Sequence, residues 1–333
     1  MDTVAHSQIQ VIGHNWAIEL FARQVQVERV PQALLLTGPP NIGKSTLALF
    51  FAQYLNCQTD GPKPCGVCLS CRKILNGSHP DIRIFDDEQQ ALKIDEIRDL
   101  QHDLSLSPYE GQYRVAILCN FERATTSAAN ALLKTLEEPA SQVVIILTAV
   151  EAGSLLPTIV SRCQSTVLRP LPTSAVSQAL QTYWQASPEQ GELLAQLSAG
   201  RLGWAKRALL DETLLAHRAE CLRDLSDLLR MNRANRLAYA QTLSRNQVTL
   251  KATLQVWLTI WRDLLLLQSG SKTQILNLDW REPLQNLAGQ SNLGQAKEMV
   301  TKLRAALLNL EYNVNPRLNL EIVLLKMPKF EGK

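Results

Sequence analysis

What this chain has little of narrows what it can do. Aromatic residues make up 5% of its 333 positions, and its charge is nearly balanced, with 34 Lys and Arg against 31 Asp and Glu for a formal net charge of +3. A protein that grips nucleic acid unaided carries a basic stripe, often interleaved with aromatics, and no such cluster is present. Long hydrophobic runs are also missing. The longest, VWLTIWRDLLLL at 256–267, is broken by Arg262 and Asp263, and it falls short of the ~20 residues a bilayer-spanning helix needs. The opening MDTVAHSQ has no cationic segment leading into an apolar one, so no secretory signal is expected. Internal repeats and low-complexity segments are absent. The seven cysteines do not resemble a secreted disulfide framework: four crowd into 57–71, while Cys119, Cys163 and Cys221 stand apart among apolar neighbours. A soluble, cytoplasmic protein with no membrane partner is the expectation. At this length, with 46% hydrophobic residues, two or three domains are expected.

What is present begins with ALLLTGPPNIGKSTLALFFAQYL at 33–55. Ala33 to Leu36 form a continuous apolar run, the mark of a strand buried on both faces. From Ser45 onward Leu47, Phe50, Phe51 and Leu55 fall on one face of a helix. Between them lies Gly38-x-x-x-x-Gly43-Lys44-Ser45-Thr46, a complete phosphate loop. Its glycines turn backbone N–H groups toward phosphate oxygens, and the helix N-terminus adds partial positive charge. Lys44 is placed to reach the β- and γ-phosphates, and Ser45 to ligate Mg²⁺.

Such a loop needs a second strand whose terminal acid holds Mg²⁺ and whose neighbouring acid orients water. Val115 to Leu118 is the candidate strand. A polar turn follows, then the helix TSAANALLKTLEEP, with Ala129, Leu132, Leu133 and Leu136 on one face and Pro139 preventing its continuation. Another buried strand runs from Val143 to Leu147 and ends in Thr148. Cys119 and Asn120 follow the first of these strands, with Glu122 two residues further on.

CQTDGPKPCGVCLSC places Cys57, Cys65, Cys68 and Cys71 within one short stretch, which suits tetrahedral Zn²⁺ in a structural role with no open coordination position. Gly66 fits a tight knuckle and Pro62 and Pro64 stiffen the loop. His79 is an alternative ligand. A reducible or metal-free cysteine cluster is the competing explanation. Asp95, Glu96 and Asp99 read as a solvated helix face on a helix starting near Ile94. His14 is given no role.

NALLKTLEEP at 130–139 and SRC at 161–163, together with the phosphate loop, resemble the AAA+ subunits of bacterial DNA polymerase III clamp loaders over roughly residues 11–210. Both the hydrolysing gamma/tau type and the delta prime type are similar. The resemblance implies an α/β AAA+ domain, a P-loop NTPase fold with a parallel sheet and helices on both faces, at 1–168. It also implies a zinc module at 57–71, a small helical lid at 169–212 after the LRPLP linker, and an all-α collar for oligomerisation at 213–333. Long helical patterns such as Leu222, Leu225, Leu228 and Leu229 agree with the collar. Trp257, Trp261 and Trp280 read as core or subunit contacts, and EYNVNPRLNLEIVLLKM at 311–327 resembles the end of the delta prime collar.

In the hydrolysing type an Asp-Glu pair ends the second strand. In register with Asn130, that pair falls on Cys119 and Asn120, a degenerate Walker B motif. The resemblance also implies a sensor arginine in the lid, but Gly203 of GRLGWAKRAL stands there, with Arg201 and Arg207 out of register. Arg162 resembles the arginine finger that such subunits extend toward a neighbour's γ-phosphate, a task suited to a planar guanidinium. The implied protein is of the delta prime type. It does no chemistry of its own, lends Arg162 to an adjoining site, and works within the DNA-directed DNA polymerase holoenzyme. The implied partners are gamma/tau and delta subunits in a five-subunit ring, with the sliding clamp and primed DNA met through the assembled complex. ATP with Mg²⁺ is a candidate ligand of the loop, without hydrolysis. One alternative is an active gamma/tau-like ATPase, which needs Glu122 or another acid in place of the lost pair. Its longer form extends further at the C-terminus, whereas this chain stops at Lys333. The other alternative is a stand-alone module binding DNA or protein through the cysteine knuckle.

Overall fold

The computed structural model describes residues 9–87, 90–271, 273–311 and 314–330. The opening MDTVAHSQ, residues 312 and 313 of the closing segment, and Lys333 lie outside them. Packing divides the chain into two compact units, residues 1–175 with 200–203, and residues 176–199 with 204–333.

The first unit alternates helix and strand: α1 (Asn15–Gln26), β1 (Ala33–Thr37), α2 (Lys44–Asn56), α3 (Leu69–Leu75), β2 (Ile82–Phe85), α4 (Ile94–Ser105), β3 (Arg114–Leu118), α5 (Thr126–Glu137), β4 (Val143–Ala149), α6 (Pro157–Val160) and β5 (Gln164–Val167). The strands form one parallel sheet in the order β2-β3-β4-β1-β5. Strand residues alternate between faces. Leu34, Leu36, Val115, Ile117, Val144 and Ile146 meet Phe21 of α1 and Leu47, Phe51 and Leu55 of α2. Ala33, Leu35, Ala116, Leu118, Ile145 and Leu147 meet Ile97 and Leu100 of α4 and Leu132 and Leu136 of α5. Central strands covered on both faces must be apolar at every position, which is why β1 and β4 read as unbroken hydrophobic runs. This is the sheet with helices on both faces that the sequence leads one to expect.

Local signals set the ends of the elements. The Thr125 hydroxyl accepts from Ala128 N at 3.2 Å and caps α5. The connection into β3 is fixed by Asp81, whose buried carboxylate accepts from the backbone N–H groups of Tyr109, Glu110 and Gly111 at 2.7–2.9 Å. Burial works to raise the Asp81 pKa, but these donors and Arg114 outweigh it and hold the carboxyl below its usual range.

From α7 onward the described residues form no strand: α7 (Thr173–Trp184), α8 (Pro188–Leu197), α9 (Leu202–Leu210), α10 (Glu212–Leu228), α11 (Arg233–Leu243), α12 (Gln247–Gln268), α13 (Arg281–Gln290), α14 (Leu293–Glu311) and α15 (Pro316–Lys326). The second unit has its own core of Leu225, Leu254, Trp257, Trp261, Leu303, Leu320 and Leu324, with Trp280 packed against it. The apolar run at 256–267 is therefore a buried helix. Its Asp263 is fully enclosed yet satisfied, accepting from Leu276 N and Asn277 N at 2.8 Å each. Arg236 is also buried and donates to Leu228 O at 2.9 Å, Leu324 O at 3.0 Å, Met327 O, and Pro328 O at 2.9 Å. These carbonyls lie at the C-terminal ends of α10 and α15, where a cation complements the helix dipoles. Replacing Arg236 with Ala leaves several buried carbonyls without donors. It is expected to cost about 3 kcal/mol of stability, read as a lower urea midpoint at unchanged slope.

Candidate functional site

The phosphate loop joins β1 to α2. Gly43 takes a left-handed conformation, φ 106°, immediately before α2, where an L side chain would be strained. Gly38 N donates to Ala149 O at 3.2 Å and Val150 O at 3.1 Å, tying the start of the loop to the end of β4. Lys44 is buried, and its ammonium donates to Gly38 O at 2.6 Å and Pro39 O at 3.0 Å. Burial lowers its pKa, and the Glu122 carboxylate opposes that shift. Thr46 is half-buried on the first turn of α2, beside Ser45.

Across from the loop is the end of β3. Cys119 Sγ lies 3.3 Å from Ser45 Oγ. Asn120 turns the chain out of the strand with φ 51°, and its N–H donates to Thr148 Oγ1 at 2.9 Å. Burial pushes the Cys119 thiol up to about 11, against the pull of the Ser45 hydroxyl and with the help of the Asp86 carboxylate. At neutral pH the group facing Ser45 is thus an uncharged thiol. Mg²⁺ takes hard oxygen ligands, usually carboxylate and water, and a neutral sulfur is a poor substitute. Two carboxylates do act on this region. Asp86, just past β2, disfavours ionisation of the Cys119 thiol, and Glu122, in the turn after β3, acts on Lys44.

Sequence reasoning assigned nothing to His14, yet its buried ring donates from Nε2 to Ile42 O at 3.2 Å, bracing the phosphate loop from before α1. Burial lowers its pKa, against the opposing pull of the bond to Ile42 O. Asp86 was also missed, because it becomes relevant only once β2 pairs with β3. Gly203 N donates to Asn41 O at 2.9 Å. A Cβ at 203 would meet that same oxygen at 2.8 Å, so the close approach requires glycine there.

Arg162 is not among the loop's contacts. It follows α6, where Nη1 donates to Thr158 O at 2.9 Å and Ser161 Oγ at 3.4 Å, and Nη2 pairs with Glu137 Oε1 at 2.5 Å.

The four clustered cysteines come together as one group, with Cys57, Cys65, Cys68 and Cys71 sulfurs all within 4.8 Å of one another. Cys65 N, Cys68 N and Cys71 N donate to the sulfurs of Cys57, Cys65 and Cys68 at 3.3–3.4 Å. The Thr59 hydroxyl draws the Cys65 thiol down to about 6, while burial raises that of Cys71. Four thiols this close suit a tetrahedral thiolate site, whose sulfurs lie about 3.8 Å apart for a metal–sulfur distance of about 2.3 Å. His79 is outside the group: its Nε2 faces Ser70 Oγ at 3.1 Å and its Nδ1 accepts from Asp81 N at 3.2 Å.

The thiol at 119 has a measurable consequence. Because only thiolate reacts, Cys119 is expected to alkylate with iodoacetamide at least tenfold more slowly than free cysteine at pH 7.5. The rate should climb about tenfold per pH unit toward pH 10, followed by mass spectrometry of the residue 114–123 peptide. Fast labelling near pH 7 would mean that the site holds a thiolate.

Comparison with known proteins places this geometry. The family model for DNA polymerase III, delta subunit, matches residues 13–172. The DNA polymerase III subunit delta' of Pseudomonas aeruginosa is 33% identical over 315 residues, covering 90% of this chain and 92% of that protein. The delta' subunit of Bacillus subtilis is 26% identical over 302 residues, covering 90% and 91%. The tau subunit of Escherichia coli is 31% identical over 198 residues, covering 58% of this chain and 31% of its own length. Among solved structures, a DNA polymerase III gamma subunit-related protein from Thermotoga maritima shares the fold, with a TM-score of 0.51 at 21% identity over 92% of this chain and 97% of that one. With a five-stranded parallel sheet, a helical C-terminal region and near full-length similarity to delta prime proteins, the chain belongs to the delta prime subunits of bacterial DNA polymerase III.

Proposed function

We propose that this protein is the non-hydrolysing delta prime subunit of the clamp loader, the assembly that uses ATP to open a sliding clamp and close it around primed DNA. The observation that carries the reading is the 3.3 Å contact between Cys119 Sγ and Ser45 Oγ. At the point where a hydrolysing subunit would hold Mg²⁺ with a carboxylate, this chain offers a neutral thiol. Loss of a positioned general base alone costs on the order of 10²–10⁴ in rate.

In this reading Gly38, Gly43, Lys44, Ser45 and Thr46 hold ATP without turning it over. Lys44 exchanges its bonds to Gly38 O and Pro39 O for phosphate oxygens on binding. Arg162 serves the ATP site of a neighbouring gamma/tau subunit, and delta lies on the other side of a five-subunit ring. Residues 169–212 act as the lid and 213–333 as the collar. In support of the collar, Leu318, Ile322 and Leu325 form an exposed apolar stripe along α15, at a spacing suited to packing on further helices. The four cysteines hold structural Zn²⁺, which would crosslink the loop between α2 and α3. No helix among the described residues is long and apolar enough to cross a membrane, which agrees with work in the bacterial cytoplasm on clamp and DNA through the complex.

Single-turnover hydrolysis by the purified chain, with Lys44→Ala as control, tests the central point. No hydrolysis above control is expected. Lys44-dependent turnover would show that Asp86 or Glu122 has replaced the missing pair, and the gamma/tau-like reading would take its place. In the reconstituted loader, Arg162→Ala is expected to slow hydrolysis at the adjoining site by a factor of about 10³. Elemental analysis is expected to give one zinc per chain. Cys71→Ser should lose that metal and lower the melting temperature, because the site contributes folding energy.

A further inference from the structure

Glu137 stands at an unfavourable place for its own helix. It is the last residue of α5, where the negative end of the helix dipole repels a carboxylate. What it gains there is Arg162, at 2.5 Å from Nη2. Arg162 in turn sits past the C-terminus of α6, where its Nη1 donates to Thr158 O and Ser161 Oγ. The guanidinium therefore bridges the ends of two helices. A guanidinium has five N–H donors. Among the described residues, its hydrogen bonds are the two from Nη1, while Nη2 takes part in the ion pair with Glu137, which leaves N–H donors for a phosphate to engage in bidentate fashion.

The strength of the pair matters as much as its geometry. The Arg162 and Glu137 side chains are 34% and 50% exposed. Exposed pairs are weak, so this contact can orient the arginine without trapping it against a multiply charged phosphate.

We infer that Glu137 is a positioning residue for the arginine finger. It fixes Nη2 from one side, while Thr158 O and Ser161 Oγ fix Nη1, so that the remaining donors face outward before a neighbour arrives. The inference rests on the reading of Arg162 as a finger, and the test separates the two.

The assay uses a reconstituted loader whose gamma/tau subunits have their own finger arginines changed to alanine, so that only the site served by Arg162 turns over. Glu137→Ala is expected to lower kcat two- to fivefold, the size of one exposed charge pair, with KM for ATP unchanged. Glu137→Gln keeps an oxygen acceptor at the same place and should recover at least half of the loss. In an Arg162→Ala background, Glu137→Ala should change nothing further. Unchanged or raised kcat in Glu137→Ala, or an additional loss on top of Arg162→Ala, would overturn the positioning role. Full hydrolysis in Arg162→Ala alone would instead remove the finger itself. If Glu137→Ala lowers the melting temperature, the Gln variant with an unchanged melt decides the question.

Discussion

The functional end of this protein depends on the parallel pairing of β1, β4 and β3. Thr37 stands opposite Ala149, and Leu118 opposite Leu147, so β1 and β4 end together and β3 stops two residues short, which leaves Cys119 and Asn120 to follow β3 beside the last residues of β4. Whatever follows each strand must then meet the others. The phosphate loop leaves β1, Cys119 and Asn120 leave β3, and Thr148 is the next-to-last residue of β4. Neither the Ser45–Cys119 contact nor the hydrogen bond from Asn120 N to Thr148 Oγ1 is a local choice. Both are imposed by a sheet covered on two faces, in which a slip of one residue would turn every core side chain into the wrong layer.

That constraint leaves the residue just after β3 free to differ in chemistry. The sheet needs an apolar strand up to Leu118 and a turn after it, but it does not need a carboxylate at 119. A thiol is small, tolerates burial, and keeps a weak bond to the Ser45 hydroxyl. What it does not carry is charge, because burial raises its pKa to about 11. The backbone around the loop, meanwhile, is braced from several directions: His14 at Ile42 O, Gly203 at Asn41 O, and the end of β4 at Gly38 N. A loop held this way remains a structural joint between sheet and helices with or without turnover.

Much of this was legible in the chain. The strands announce themselves as the apolar runs 33–36, 115–118 and 143–147, and α5 by its spacing and by Pro139 beyond its end. The cysteine cluster is visible from spacing alone, because a local loop needs only a turn to bring its ligands together. Four features were not legible. His14 reaches the loop across twenty-eight positions. Asp86 reaches Cys119 only after two strands pair. Gly203 looked like a missing arginine and proves to be a close backbone contact. Glu137 looked like part of a family motif and proves to hold Arg162. Each depends on separation in sequence being cancelled by packing, and no local pattern encodes that.

The sequence by itself therefore determined the parts: a buried parallel sheet, a complete phosphate loop, a strand ending without acids, a four-thiol knuckle and a long helical remainder. Those follow from residue type and spacing, which act through hydrophobic burial, backbone sterics and ligand chemistry over a few residues. Only the tertiary structure decided which side chains face one another. It set the thiol against Ser45, placed Asp86 and Glu122 around the same loop, closed the carbonyl of Asn41 with Gly203, and paired Glu137 with Arg162. Distances of a few ångströms between groups far apart in the chain come from the register of strands and the docking of helices, and those are properties of the whole packed unit.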